Sequence, residues 1–214
     1  MHAGNGFLFR DRPGQRCVDR QRLQYLACAL EIPDVVILDI PQLQAAPRHV
    51  ECRAGAFGDI LELAVAKPLH GLRVAPYYGC QIVRPYATFD DQVEPVAMDK
   101  LIEATGAEVV KYPLKTRCCG GSLTGTLPEV GLRLVYILLR EASKRGADLI
   151  ATTSPLCQFN LDAYQRQVED QYGDCSLPVL YFTQVLGLAM GLPMRELGLQ
   201  RGVVPVAPAL KRRE

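Results

Sequence analysis

Residues 128–157, PEVGLRLVYILLREASKRGADLIATTSPLC, contain three consecutive patterns of secondary structure. Residues 128–146 carry apolar side chains at helical spacing between an early proline and a closing glycine, so they predict an amphipathic helix. Residues 147–153 are a short apolar run that is typical of a buried strand. Ser154 is a candidate N-cap in front of Pro155, and a second helix is expected to begin there. The stretch therefore predicts helix, strand and helix in succession.

The same alternation extends outward over residues 71–191. Further strands are predicted at 72–78, 107–113 and 178–182, and further helices at 96–106, 155–173 and 183–191. Four strand–helix units in succession predict an α/β fold, with a mostly parallel open sheet and helices on both faces. The loops at the carboxyl ends of such strands meet at one edge of the sheet, where open α/β sheets bind ligands.

The composition excludes several classes of protein. The 214 residues are 49% hydrophobic and 22% charged, which is ordinary for a globular chain. The formal charge of +1 argues against a nucleic-acid binder, because such proteins usually carry a basic excess. No apolar run approaches the ~20 residues of a membrane-spanning helix, and the N-terminus has no apolar signal segment. A cytoplasmic location, in which thiols stay reduced, is therefore expected.

Eight cysteines are more than a reduced core of this size needs. Four of them follow the predicted strands and are expected to meet at the carboxyl edge of the sheet: Cys80, Cys118, Cys119 and Cys157. Gly120 and Gly121 follow the vicinal pair, and their backbone N–H groups are available to sulfur or to an anionic ligand. Adjacent cysteines have no common packing role, so the pair indicates metal or redox chemistry. The others are expected to pack as small apolar residues: Cys17, Cys28, Cys52 and Cys175.

These residues resemble a known family. The segments PYYGCQIVRP, CCGGSL and PLCQFNLDAYQ, in this order, are similar to the CCG cysteine-rich domain found in the B subunit of heterodisulfide reductase. The resemblance covers about residues 69–192. It implies a [4Fe–4S] cluster, noncubane in the family, with Cys80, Cys118, Cys119 and Cys157 as metal ligands. It also implies that Cys118 and Cys119 act in catalysis and that Gly120 and Gly121 contribute to cofactor binding.

The family assignment implies partners and a reaction. The partners would be the iron–sulfur C subunit together with the flavin-containing A subunit of a heterodisulfide reductase-like complex. The reaction would be transfer of electrons to a small disulfide or related sulfur substrate, so the chain would be an oxidoreductase subunit. No nucleic-acid partner and no membrane span are expected.

Two departures from the family pattern leave alternatives open. Ser154 stands where the family has a fifth cysteine, so four thiolates remain, and these suffice for a cubane cluster or a Zn²⁺ site. Relatives in the family carry two CCG domains, whereas this chain shows one, and the N-terminal CCG domain is expected to be missing. A non-catalytic electron-relay or zinc-holding structural subunit is therefore an alternative, and so is a cluster-free dithiol enzyme that uses Cys118 and Cys119.

Three regions are predicted along the chain. Residues 1–68 form a partly irregular N-terminal segment with a strand at 34–40 and a helix at 58–69. Residues 69–192 form the cysteine-rich domain, and residues 193–214 form a C-terminal tail.

Overall fold

Four parallel strands form the sheet in a computed structural model that describes residues 64–85 and 90–211. The strands are β1 Arg73–Tyr77, β2 Glu108–Val109, β3 Leu149–Thr152 and β4 Val179–Tyr181. Their order in the sheet is β2-β1-β3-β4, and every neighbouring pair is parallel. The predicted α/β class with a parallel sheet is confirmed.

The helices cover both faces of the sheet. They are α1 Ala97–Glu103, α2 Pro128–Lys144, α3 Pro155–Ala163, α4 Gln165–Tyr172, α5 Phe182–Ala189 and α6 Ala207–Lys211. Successive strand side chains point to opposite faces, so Val74 and Ala75 of β1 enter different apolar cores. One core holds residues of α2, α3 and α4, and the other holds residues of α1 and α5. Within the part of the chain that the structure describes, no helix combines the length and apolar character needed to cross a bilayer.

The strand order creates a crevice between β1 and β3. From β1 the chain runs through α1 to β2, which pairs with one edge of β1. It then returns through α2 to β3, which pairs with the other edge of β1. Loops that leave β1 and β3 therefore turn toward opposite faces and leave a gap between them, which is where open α/β sheets bind ligands. The register aligns Tyr77 with Thr152, so both strands end at the same level.

Two elements are shorter than predicted. The strand predicted at 107–113 is reduced to β2, because only Arg73 and Val74 of β1 pair with it and the chain then turns away before Pro113, which has no N–H to donate. The helix predicted at 155–173 is interrupted at Tyr164, between α3 and α4. Directly after the break, the side-chain amide of Gln165 bonds both backbone groups of Leu177.

The C-terminal residues are more ordered than a tail. A 3-10 helix at Leu199–Arg201 and α6 follow α5, and both Leu199 and Ala209 are buried. The carboxylate of Asp162 in α3 accepts hydrogen bonds from the backbone N–H groups of Val203 and Val204, at 2.8 and 3.2 Å. Residues 193–211 therefore contain short helices and pack on the domain.

Most of the predicted N-terminal segment lies outside the described residues, including the strand at 34–40, residues 58–63 of the helix at 58–69, and three cysteines (Cys17, Cys28 and Cys52). The described end of that helix differs from the prediction. Ala64 is helical, but residues 65–69 are not. Their backbone bonds to other elements instead: the N–H groups of Ala66 and Lys67 donate to the carbonyl of Ala189, and that of Leu69 donates to Thr105.

Candidate functional site

Four thiols reach one cavity of about 440 Å³ at the carboxyl ends of β1 and β3. The cavity is lined by Tyr78, Cys80, Gln81, Ile82, Cys118, Cys119, Gly121, Ser122, Thr153, Ser154, Pro155, Leu156 and Cys157. Cys80 follows β1, the vicinal pair lies between β2 and α2, and Cys157 lies in the first turn of α3 after β3. Three segments that are distant in sequence therefore contribute to one site.

Gly79 makes the approach of β1 and α3 possible. Its φ of 73° lies in the left-handed region, which residues other than glycine rarely adopt. A Cβ at this position would stand 3.1 Å from the sulfur of Cys157. Glycine thus lets the backbone before Cys80 pass directly beside a second thiol of the site.

Gly120 shapes the turn that carries Cys118 and Cys119. Its φ is 78°, and its N–H donates to the sulfur of Cys118 at 3.3 Å. A Cβ on Gly120 would stand 3.0 Å from Leu134 of α2, so this glycine packs against a helix and does not line the cavity. Gly121 does line it. The two glycines expected at the site therefore have different surroundings.

The two inner thiols form a hydrogen-bonded pair. The sulfur of Cys119 donates to that of Cys157 at 3.5 Å, and these residues are 3% and 7% exposed. Cys118 is exposed and Cys80 is half-buried. The site thus has a buried half, Cys119 and Cys157, and an accessible half, Cys80 and Cys118.

The thiols of the pair have opposite shifts in pKa. The hydrogen bond to Cys157 and then burial raise the pKa of Cys119, while the N–H of Gly121 acts in the lowering direction. The hydrogen bond from Cys119 holds the pKa of Cys157 below its ordinary value against the opposing effect of burial, and Ser154 adds to the lowering. Burial, with the nearby Cys118, raises the pKa of Cys80. Cys157 is therefore the member of the buried pair that ionises first.

Ser154 is the N-cap of α3. Its hydroxyl oxygen accepts from the N–H of Cys157 at 3.4 Å, and Pro155 occupies the first turn, as predicted. The distance is long, so the cap is a weak one. Because Ser154 also lines the cavity, its hydroxyl lies beside the thiol of Cys157 in the position where the family resemblance implies a cysteine.

The charge of the site comes from the thiols and the backbone. Among the described residues that line the cavity, none is Lys, Arg, Asp or Glu. The positive end of the α3 dipole lies at Pro155, where it favours negative charge. Such surroundings suit an anionic, thiolate-bound group.

The donor set of the cavity consists of thiols, which suit a soft metal group. Thiolate sulfur is the preferred ligand of zinc and of iron–sulfur clusters. Within residues 64–85 and 90–211, no three His, Cys, Asp or Glu side chains converge closely enough to hold a single metal ion. The four thiols nevertheless line one cavity and are the residues that would hold a thiolate-bound metal group.

Sequence reasoning missed a buried amide behind the site. Asn160 of α3 is 1% exposed, and its Nδ2 donates to the carbonyl of Cys119 at 2.8 Å. The available signal was its position three residues after Cys157, which places a polar side chain on the same face of the helix. Cys175 is buried in the apolar core that also contains Cys119 and Cys157, but it does not line the cavity, as expected.

Comparison with known proteins identifies one family model, described as CCG: Cysteine-rich domain, over residues 74–162. This range contains all four thiols of the cavity and ends shortly after Asn160. It excludes the C-terminal residues 193–211.

Several curated proteins are similar to the chain. It is 33% identical over 147 residues to the 8-methylmenaquinol:fumarate reductase membrane anchor subunit of Wolinella succinogenes, covering 67% of this chain and 52% of that protein. It is 36% identical over 138 residues to the B subunit of the ferredoxin:CoB-CoM heterodisulfide reductase of Methanosarcina mazei, covering 62% and 46%. A protein of Archaeoglobus profundus, named as similar to the heterodisulfide reductase B subunit, is 35% identical over 138 residues, covering 61% and 46%. The matches thus span about half the length of these relatives.

A solved structure shares the fold. The crystal structure of a hypothetical protein from Helicobacter pylori superposes with a TM-score of 0.52 at 14% sequence identity, covering 69% of this chain and 28% of that chain. At this identity the similarity concerns the fold alone.

Proposed function

We propose that the chain, which matches the CCG cysteine-rich domain over residues 74–162 and is similar to heterodisulfide reductase B subunits, is an iron–sulfur redox protein that passes electrons to a disulfide or related sulfur substrate. One observation carries the proposal: four thiols from three separate segments line a single cavity. Cys80, Cys118, Cys119 and Cys157 would hold a [4Fe–4S] cluster there.

A thiolate-lined cavity suits zinc as well as an iron–sulfur cluster. A tetrahedral zinc site with Zn–S bonds of ~2.3 Å needs four sulfurs within about 4 Å of one another. The sulfurs of Cys119 and Cys157 meet this spacing, so the choice of a cluster rests on the similarity to heterodisulfide reductase B subunits. An iron–sulfur cluster would supply one-electron redox chemistry at this site.

The residues of the chain have separate tasks in this proposal. Cys119 and Cys157 are buried and would anchor the group from inside the fold. Cys118 is exposed, so the substrate would approach from its side. Reduction of one disulfide consumes two electrons and two protons and yields two thiols. The electrons would come from partner proteins, and the protons would come from solvent at the exposed edge.

The partners follow from the relatives. Their names describe subunits of oxidoreductases, and we infer that this chain also acts in a complex, with an iron–sulfur C subunit together with a flavin-containing A subunit. Because the chain spans about half the length of these relatives, the substrate and the complete reaction belong to the proposal as well.

A second candidate is an electron-relay protein without its own substrate. Ser154 favours it, because a hydroxyl replaces the fifth thiolate of the family motif and four thiolates are the complement of an ordinary relay cluster. The relative from Wolinella succinogenes, named as part of a quinol:fumarate reductase, shows that the family also occurs outside the heterodisulfide reductases.

Anaerobic metal analysis and electron paramagnetic resonance test the proposal. We expect about four irons per chain after reconstitution. Cys119→Ala should lose the bound iron, whereas the matched variant Cys175→Ala, which removes another buried thiol outside the cavity, should retain it. Iron-free protein with one zinc would contradict the cluster, and loss of iron in both variants would contradict its placement. Reduction of a small disulfide to two thiols by the loaded protein, with a low-potential dye as the two-electron donor and solvent as the proton source, separates the substrate-reducing role from the relay.

A further inference from the structure

A buried polar pair lies directly behind the thiol site. Asn160 of α3 is 1% exposed and Thr124, in the loop before α2, is 5% exposed. Their side chains are 2.6 Å apart, from Thr124 Oγ1 to Asn160 Oδ1. The Nδ2 of Asn160 donates to the backbone carbonyl of Cys119 at 2.8 Å. The pair thus connects α3 to the loop that carries a thiol of the site.

The orientation of the amide follows from its partners. The carbonyl of Cys119 can only accept, so the NH₂ group of Asn160 must face it. The amide oxygen then faces Thr124, whose hydroxyl can donate. The same hydroxyl also lies 2.9 Å from the carbonyl of Gly120, so its single hydrogen has two acceptors within reach, and the oxygen of Asn160 is the closer one. Each group of the amide has a partner of the correct kind.

The backbone around Thr124 is itself held in place. Its N–H donates to the carbonyl of Gly120 at 3.0 Å, which closes the loop after the vicinal cysteines. Helix α2 presses on the loop from behind: a Cβ on Gly131 would stand 2.6 Å from the Cα of Thr124. Thr124 is therefore a fixed support for the Asn160 amide.

The amide links two thiols of different segments. Asn160 lies three residues after Cys157 in α3, and it bonds the peptide group of Cys119. The sulfurs of these cysteines are 3.5 Å apart. Removal of the amide would leave the carbonyl of Cys119 buried without its side-chain donor, and the peptide would turn toward another partner. The position of the Cys119 sulfur relative to Cys157 would change with it.

We propose that Asn160, supported by Thr124, is a positioning residue that holds the Cys119 thiol against Cys157 and thereby sets the geometry of the bound group. The inference deepens the proposed function and rests on it where it concerns a cluster. The positioning of the two thiols is independent of which metal binds, so it can be tested on metal-free protein.

The first test is thiol cross-linking with dibromobimane in the metal-free, reduced full-length chain, with the linked peptides identified by mass spectrometry. We expect Asn160→Ala to lower the yield of the Cys119–Cys157 product about fivefold, the factor that corresponds to one net hydrogen bond. Thr124→Val, which keeps the shape but removes the hydroxyl, should lower it to a smaller extent. Thr124→Ser, which keeps the hydroxyl, should preserve it. If Asn160→Ala fails to fold, the two Thr124 variants carry the test.

Gln165 provides the matched control. It is also a buried amide at 1% exposure, and it makes two hydrogen bonds to Leu177 away from the cavity. Gln165→Ala should lower the melting temperature without changing the cross-link. An unchanged yield in folded Asn160→Ala would overturn the proposal, and so would an equal loss of yield in Gln165→Ala.

The second test is the paramagnetic spectrum and midpoint potential of the iron-reconstituted variants. If Asn160 has a merely structural role, Asn160→Ala should bind less iron but show the wild-type spectrum. If it positions the thiols, the spectrum of Asn160→Ala should be altered. The spectrum of Thr124→Ser should then be closer to that of wild type than the spectrum of Thr124→Val. If wild type binds no iron but the cross-linking results hold, the proposed function fails and the positioning role stands.

Discussion

Replacement of Gly131 by alanine tests how closely α2 must approach the loop of the thiol site. Gly131 is buried in the first turns of α2. A Cβ at this position would meet three atoms of Thr124: Cα at 2.6 Å, N at 2.7 Å and Oγ1 at 2.8 Å. Two of these belong to the backbone, which cannot rotate away as a side chain can. Helix α2 and the loop must therefore separate to admit one methyl group.

Two opposing effects determine the size of the change. Alanine is favoured over glycine in a helix interior by about 0.8–1.0 kcal/mol. Overpacking of a close-packed interior costs about 1–3 kcal/mol and occasionally more, and three contacts under 3.0 Å place this site at the upper end. The expected net loss in the free energy of unfolding is about 2 kcal/mol. For a chain of this size it corresponds to a fall in melting temperature of about 4–8 °C.

Urea unfolding followed by circular dichroism measures the loss, and Gly187→Ala serves as the control. Gly187 also lies in a helix, α5, but its Cβ would meet the terminal methyl of Leu197, a flexible side chain. The gain in helix propensity is the same for both variants, so their difference isolates the clash with the backbone. A Gly131→Ala variant as stable as wild type, or more stable than it, would refute the reasoning.

Two further predictions concern Ser154 and Cys175. Ser154→Cys should change the metal content or the paramagnetic spectrum of the reconstituted protein, because it adds a fifth thiol to the cavity; identical iron content and spectrum would show that this position does not touch the bound group. Burial raises the pKa of Cys175 to about 11, so the unfolded chain releases this proton at lower pH than the folded one. Its contribution to stability is complete below about pH 9 and is lost as the pH rises toward 11. Across this range the free energy of unfolding should therefore fall less steeply with pH for Cys175→Ala than for wild type. An equal fall in both proteins would contradict the assignment.

The strands and the long helix were predictable because local patterns determine them. Helix α2 was predicted at 128–146 and spans Pro128–Lys144, since its apolar spacing and terminal residues agree with each other. The break at Tyr164 has no local signal, and the bonds beside it join Gln165 to Leu177, whose proximity appears only in the folded chain. The packing of residues 193–211 likewise involves distant partners, since the N–H groups of Val203 and Val204 donate to Asp162.

The candidate site shows the same division. The rule that parallel strands end at one edge was sufficient to bring Cys80 and Cys157 together from the sequence. The contact of Asn160 with Cys119 needs the rotation of α3 about its axis and the path of the loop after β2, and neither has a local signature. The positions of Gly120 and Gly121 also depend on these two features, since Gly120 packs on α2 and Gly121 lines the cavity.

The pairing of β1 with β3 has a consequence for the order of events during synthesis of the protein. Cys80 leaves the ribosome 77 positions before Cys157, which at bacterial to eukaryotic elongation rates amounts to roughly 4–15 s. Until β3 pairs with β1, the nascent chain has no cavity, and three of its thiols are displayed without the fourth. Any metal group that needs all four thiols would therefore be loaded late, and a chain stalled before α3 would leave the vicinal cysteines open to oxidation.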